Sequence, residues 1–241
     1  MSSAPGFTLS GTVRIGGAVI IGPVELSVPA ARWTCLLGPS GVGKTTLLRL
    51  IAGIEDGTVL EGSIAVSDHV PLPGRIALMA QSDLLMPWLS VLDNVILGIR
   101  LRGAVPDHDR AQDLLARVGL VNHARKHPGA LSGGERQRVA LARTLMEDRA
   151  VVLLDEPFSA LDARTRAEMQ DLAADLLKER TVLMVTHDPG EAIRMGDQVV
   201  LLTERGCEAV PLPETHPPRA VDDEQALAAQ GALLSRLMAR A

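Results

Sequence analysis

The chain has no tyrosine, and only two phenylalanines and two tryptophans among its 241 residues. Its core must therefore be built from Leu, Val, Ile, Ala and Met. Cysteine is scarce as well: Cys35 and Cys207 make neither a disulfide framework nor a metal cluster, which suits a reducing compartment. Basic residues are not in excess, with 24 Lys and Arg against 29 Asp and Glu and a net charge of −5. That leaves no electrostatic footprint for nucleic acid. No apolar run approaches the ~18 residues of a membrane span. The opening Met1–Gly6 lacks the basic and apolar regions of a signal peptide. These absences predict a soluble protein that reaches a membrane only through a partner.

Apolar residues make up 46% of the chain, enough for a sizeable core. Phe7–Arg14 and Val19–Val28 read as strands with a Gly16-Gly17 turn between them. Trp33–Leu37 reads as a buried strand, followed by a helix over Lys44–Ile54. Gly62–Val66 and Arg75–Ala80 read as strands. The apolar spacing then predicts helices over Ser90–Leu101, from Pro106-Asp107 to Gly119, and over Glu135–Glu147. Val151–Leu154 is a four-residue apolar strand, Leu161–Lys178 a long helix, and Thr181–Thr186 another buried strand. A helix over Pro189–Met195 and strands over Gln198–Thr203 and Glu208–Pro211 follow. Alternating apolar strands and helices imply an α/β fold with a parallel central sheet. A helical insertion falls between about Ser82 and Leu131. Pro211–Pro218 reads as an extended connector, and Asp222–Ala241 as an amphipathic helix with Leu227, Leu233, Leu234, Leu237 and Met238 near one face. Arg236 and Arg240 suit that helix's negative end.

Gly38-Pro39-Ser40-Gly41-Val42-Gly43-Lys44-Thr45 matches G-x-x-x-x-G-K-[ST] between an expected strand and an expected helix. Its successive amides form a concave nest for phosphate oxygens. Lys44 supplies positive charge at the β- and γ-phosphates, and Thr45 offers a hydroxyl to Mg²⁺. A plain glycine-rich turn is the bland alternative, and a chance match in a chain this long is roughly 1%. Val151–Leu154 ends in Asp155 and Glu156. Asp155 can hold Mg²⁺, and Glu156 can polarise an attacking water as a general base. His187 follows the strand Thr181–Thr186 at the carboxyl edge of the sheet, where α/β ligands bind. It can hydrogen-bond the γ-phosphate and the attacking water, unless it is only a solvated loop residue. Gln81 also follows a strand, with the same alternative. It can ligate Mg²⁺ or orient water.

A second anion-binding start is Leu131-Ser132-Gly133-Gly134-Glu135. Ser132 and Glu135 have the S-x-x-E spacing of a capping box, and the two glycines let backbone amides approach a ligand. The helix that follows aims its positive end there. One nucleotide does not need two such ends from one subunit, so the economical arrangement is two subunits, each closing the other's nucleotide site.

Taken together these residues resemble the ATP-binding cassette (ABC) family of transport ATPases. The matches are the phosphate loop Gly38–Thr45, the glutamine Gln81, the signature Leu131–Glu135 continuing into Arg136-Gln137-Arg138, the strand Val151–Glu156, the loop Ser159-Ala160-Leu161-Asp162 and His187. They fall in the family's order and span most of the chain. The resemblance implies a P-loop NTPase core with a central, mostly parallel sheet, an N-terminal antiparallel β subdomain and an inserted helical subdomain over about 82–148. It implies one ATPase domain over 5–215, with connector and helix over 216–241. ATP and Mg²⁺ are the implied cofactors, with Thr46 completing the phosphate contacts and Thr45, Gln81 and Asp155 as the metal set. Catalysis falls to Glu156, His187, Lys44 and Gln81. A head-to-tail homodimer is implied, with Ser132, Gly133 and Gly134 reaching the γ-phosphate held by the opposite subunit and Asp162 coupling the two sites. One departure stands out. The aromatic residue that usually stacks on adenine maps near Ile15, and an aliphatic contact lacks the stacking contribution of an aromatic face. Weaker base discrimination, with some use of GTP, is the expectation; whether Trp33 or Phe7 substitutes is open.

Leu84-Leu85-Met86-Pro87-Trp88-Leu89 is apolar and precedes a helix. Core packing is one reading; in the family the region receives a helix from transmembrane permease subunits. The L-x-P-W-x-S-V-x-D-N-V pattern is similar to importers for nitrate, sulfonates, taurine and thiamine-pathway pyrimidines. That implies a peripheral subunit on the cytoplasmic face of a bacterial inner membrane, working indirectly with a periplasmic solute-binding protein and with no nucleic acid. The space after His187 predicts no added regulatory domain. An efflux or lipoprotein-release ATPase shares the same catalytic residues, and a non-transport ABC ATPase is the third alternative.

Overall fold

Three five-residue runs have every position buried: Trp33–Leu37, Val151–Asp155 and Thr181–Val185. Strands covered on both faces read as near-continuous apolar runs. They lie side by side in one sheet of the computed structural model, which describes residues 4–54, 57–203 and 206–238. In chain order the elements are β1 (Phe7–Ile15), β2 (Ala18–Val28), β3 (Trp33–Leu37), α1 (Lys44–Ile51), β4 (Thr58–Val66), β5 (Ile76–Met79), α2 (Val91–Val95), α3 (Leu97–Leu101), α4 (His108–Arg117), α5 (Gly133–Met146), β6 (Val151–Asp155), α6 (Ala163–Leu176), β7 (Thr181–Val185), α7 (Pro189–Met195), β8 (Gln198–Thr203), β9 (Gly206–Val210) and α8 (Glu224–Met238). Two units share them. The first joins Met1–Ile76, Ala150–Glu156 and Leu177–Ala241, and the second joins Ala77–Arg149 and Pro157–Leu176.

In the first unit an antiparallel sheet runs β2-β1-β4. Phe7 pairs with Val28 on one side and with Val66 on the other. The second sheet places β6, β7, β3, β8 and β9 side by side. β6, β7, β3 and β8 are parallel, and β9 closes the edge antiparallel to β8. β3, β7 and β6 are therefore neighbours that end on the same edge. The residues that follow them, Gly38 onward, Thr186-His187 and Glu156, emerge together there. α8 packs on α7 through buried Ala226 and Leu233. Arg219, itself buried, pins the proline-rich connector by donating to the carbonyls of Ile193, Gly196 and Pro213.

The second unit is mainly helical. α2, α4 and α5 pack on one another through Val91, Val95, Ala111, Leu115, Val139 and Leu141. Arg117 and Asp175 join α4 to α6 at 2.7 Å.

Several boundaries differ from the sequence expectation, each for a local reason. α1 ends at Ile51 because Gly53, at φ +73°, turns the chain. β4 starts four residues early, at Thr58, because it pairs with β1 as far as Ile15. The helix expected over Ser90–Leu101 is two short helices. Ile96 leaves helical geometry at ψ 0° and stays buried, and Gly98 beside it weakens the helix. α6 starts at Ala163 because the Asp162 carboxylate accepts from the Thr165 N–H. On α8, Leu227, Leu234 and Met238 are exposed at 52, 46 and 73% while the buried stripe is Ala226 and Leu233. The expected end of that helix, including Arg240, falls on residues 239–241, outside the described residues.

Candidate active site

Gly38 follows β3 against the backbone of β8: a Cβ there would lie 2.5 Å from the Leu202 carbonyl oxygen. Gly43, the residue before α1, has φ +102°, and a Cβ on it would lie 2.7 Å from the Ile21 side chain. Only glycine satisfies both the left-handed turn and the close approach of β2. Between these points the loop leads straight into the N-terminus of α1, whose unpaired amides favour an anion.

Lys44 is 8% exposed and donates from Nζ to the carbonyl oxygens of Gly38 (2.7 Å) and Pro39 (2.9 Å). Burial pushes its ammonium pKa down, while Glu156 and Asp155 push it back up. Asp155 ends β6 and is 3% exposed. Burial raises its carboxyl pKa, a hydrogen bond with the Thr45 side chain lowers it, and the charge on Glu156 raises it again. One oxygen, Oδ1, is buried without a hydrogen-bond partner. Buried carboxylate oxygens are normally satisfied. An orphaned one beside a threonine hydroxyl is an oxygen donor set that fits a hard divalent cation.

Glu156 has φ +49°, a conformation that costs a non-glycine residue of order 1 kcal/mol or more. Its N–H donates to the Val185 carbonyl (2.9 Å), which ties the end of β6 to the end of β7 and turns the side chain over the sheet edge. There the carboxylate lies 3.1 Å from Nδ1 of His187, whose side chain is 60% exposed against 17% for Glu156. A hydrogen bond in this sense requires the proton on Nδ1. The first unit thus gathers a lysine, a hydroxyl, two carboxylates and an imidazole on one sheet edge.

Other expected site residues belong to the second unit. Gln81 is exposed after β5. Ser132 caps α5: its Oγ accepts from the Glu135 N–H (3.2 Å), and the Glu135 carboxylate accepts from the Ser132 N–H (2.7 Å). Ser132 and Gly133 are exposed and Gly134 is half-buried. Asp162 is exposed, and the Thr165 amide holds its carboxyl pKa down. Thr46 is half-buried on α1, and Ile15 is 38% exposed at the end of β1. Trp33 and Phe7 are buried inside their sheets at 6 and 3%, so neither offers a face for a base. A cavity of about 830 Å³ flanks the phosphate loop, walled by Pro39–Val42, by Val19, Ile20 and Ile21 of β2, and by Leu237 of α8. Sequence reasoning gave no role to three residues that the structure ties to these loops: Thr186, Glu191 and Gln137. Only the N-cap Asp188 ahead of Pro189 carried a local signal.

A glycine-rich strand–loop–helix turn with a buried lysine, and an acidic strand end one strand removed in the same sheet, define the P-loop nucleotide hydrolase class. The ABC transporter family profile matches residues 21–159. An ABC transporter ATP-binding protein of Haemophilus influenzae is 43% identical over 233 residues, covering 94% of this chain and 95% of that protein. An aliphatic sulfonates import ATP-binding protein of Escherichia coli is 47% identical over 191 residues, covering 77% of this chain and 72% of that one. Among solved structures, a dimeric bacterial ABC transporter cassette matches with TM-score 0.72 at 27% identity, over 89% of this chain and 99% of that chain. The chain belongs to the ABC transporter family, as one of its ATP-hydrolysing cassettes.

Proposed function

We propose that the chain is the energy-coupling ATPase of a membrane importer for a small polar solute, with aliphatic sulfonates the leading class. The single observation that carries its chemistry is the Glu156–His187 contact of 3.1 Å beside buried Lys44 and Asp155. The 47% identical relative named for aliphatic sulfonate import supports the direction of transport and the solute class. Among the described residues no helix is long and apolar enough to cross a membrane. On this proposal the chain works at the inner face of the cell membrane on permease subunits, which take up solute from a binding protein outside.

In this reading ATP lies along Gly38–Thr46, and Lys44 exchanges the carbonyls of Gly38 and Pro39 for phosphate oxygens. Glu156 accepts a proton from the attacking water as the water oxygen bonds to the γ-phosphorus and the bond to the ADP oxygen breaks. His187, held by the Glu156 carboxylate, keeps the γ-phosphate and that water aligned. Mg²⁺ suits the oxygens of Thr45 and Asp155, and when bound it would supply neutralising charge to the phosphates. A second copy, packed head to tail, contributes Ser132, Gly133 and Gly134 to the γ-phosphate, and Asp162 couples the two sites. ATP binding favours the closed pair, and hydrolysis resets it.

Uptake tests the assignment. Cells in which Lys44→Ala replaces the natural chain should fail to take up labelled aliphatic sulfonate. Undiminished uptake would overturn the assignment to sulfonate import, and retention above that of cells with the natural chain would point to export instead.

A further inference from the structure

His187 gains its contact with Glu156 although its own side chain is 60% exposed, so something other than packing of the ring must fix it. The residues on either side of it are anchored. Thr186, 1% exposed, donates its N–H to the Leu36 carbonyl of β3 (3.2 Å). Its hydroxyl donates to Oε2 of Glu191 (2.7 Å) and accepts from the N–H of Asp188 (3.0 Å). Asp188 in turn caps α7, accepting from the amides of Gly190 (2.7 Å) and Glu191 (3.4 Å). Glu191 is a carboxylate 6% exposed. Burying a carboxylate is costly unless it is hydrogen-bonded, and a hydroxyl donating to it makes a short, charge-assisted bond. Packing α7 on β3 needs no carboxylate at that position. What the carboxylate adds is direction: it turns the Thr186 hydroxyl so that its lone pairs face the Asp188 amide, closing a loop around His187.

We propose that Glu191 is a positioning residue for ATP hydrolysis, fixing through Thr186 and Asp188 the backbone that holds the His187 imidazole at hydrogen-bonding distance from Glu156. The inference rests on His187 acting in turnover, as proposed above. A displacement of about 1 Å at a reacting group costs up to about a hundredfold in rate.

Steady-state phosphate release separates the two. His187→Ala should lower kcat at least about tenfold; unchanged turnover in that variant removes the role of His187 itself. Glu191→Ala and Thr186→Val should each lower kcat about tenfold with the KM for ATP within about twofold. Thr186→Val conserves volume while deleting both hydrogen bonds, so it carries the test if Glu191→Ala does not fold. Glu191→Gln, which still offers an oxygen to the Thr186 hydroxyl, should recover most of the loss. Because Glu191 acts through His187, the double variant Glu191→Ala/His187→Ala should be no slower than His187→Ala within about twofold. Losses that multiply in the double variant, a KM effect without a kcat effect, or normal turnover in Glu191→Ala and Thr186→Val beside a crippled His187→Ala would each overturn the inference.

Discussion

Replacing Glu156 with Gln is the sharpest perturbation of the proposed chemistry because it removes the proton acceptor while keeping its shape. The two side chains have nearly the same shape, and Glu156 is only 17% exposed, so the packing at the sheet edge is retained. The amide oxygen still accepts from Nδ1 of His187 at the observed 3.1 Å. The backbone N–H still donates to Val185, and the positive φ is no worse for Gln than for Glu. The Lys44 bonds to Gly38 and Pro39 keep their partners, while the Glu156 charge that raises the pKa of both Lys44 and Asp155 is removed. Lost are the capacity to take a proton from water and one negative charge beside Lys44 and Asp155. General-base catalysis contributes about 10² to 10⁴ in rate, so kcat should fall about a thousandfold, equivalent to about 4 kcal/mol.

ATP affinity should change by less than about threefold, since a uniform binding contribution is not being removed. With binding intact and turnover blocked, the ATP-bound state should accumulate, and size-exclusion chromatography with light scattering should show pairs in ATP and single subunits without it. Phosphate release by the variant above about a tenth of the wild-type rate would refute the assignment of the base. A variant that neither hydrolyses nor binds ATP would show instead that Glu156 holds the site together.

Two further outcomes follow from the same edge. Burial raises the folded-state pKa of Asp155 above its unfolded value. The ionised carboxylate therefore costs the nucleotide-free fold nothing below the unfolded pKa, and its full penalty is present once the pH exceeds the folded pKa. Asp155→Asn should raise the melting temperature of the nucleotide-free protein near pH 8 by about 2–4 °C per kcal/mol recovered. The gain should fade towards pH 4, while turnover is lost; a lower melting temperature at pH 8 contradicts the burial argument. For the base, the buried Trp33 and Phe7 leave stacking without an aromatic partner in the first unit. Stacking is worth about 0.5–1.5 kcal/mol, so GTP should compete with ATP in hydrolysis within about tenfold and Ile15→Tyr should tighten ATP selectively. A preference for ATP above about a hundredfold in the natural chain would count against this.

The glycine-rich loop Gly38–Thr45 was legible because its backbone dictates residue types. Gly43 must take φ +102° beneath Ile21, and no other residue can. The same holds for Asp155 and Glu156, whose position at the end of a five-residue apolar strand is visible in the sequence alone. The capping pair Ser132 and Glu135 was readable because both bonds close within four residues. What depends on distant partners was not. The early start of β4 is set by Thr58 pairing with Ile15. Ile96 breaks its helix to remain buried, although its local periodicity continues past it. Thr186 and Glu191 look like ordinary strand-end and helix residues until the fold sets the hydroxyl 2.7 Å from the carboxylate.

Within the second unit, α5 shows why the segments around Ser132 need not move independently. The helix has 14 residues, about 21 Å of rigid rod. Its first residue follows Ser132. One turn on, the Gln137 side-chain oxygen accepts from the Ala160 N–H (2.9 Å), which fastens the loop that carries Asp162. On another face Arg136 Nε donates to the Asp83 carboxylate (2.9 Å), and Arg143 donates to the carbonyls of Asp83 (2.6 Å) and Leu84 (2.9 Å). Burial lowers the Arg143 pKa, while the charges of Asp83 and Glu147 oppose that shift. Hydrogen bonds to charged groups are worth about 1.5–3 kcal/mol each. These ties fasten both segments to one helix. The segment fastened by Arg143 continues to Trp88, 70% exposed. Ser132 is therefore joined, through one helix and a few charge-assisted bonds, to the exposed apolar residues that follow Gln81.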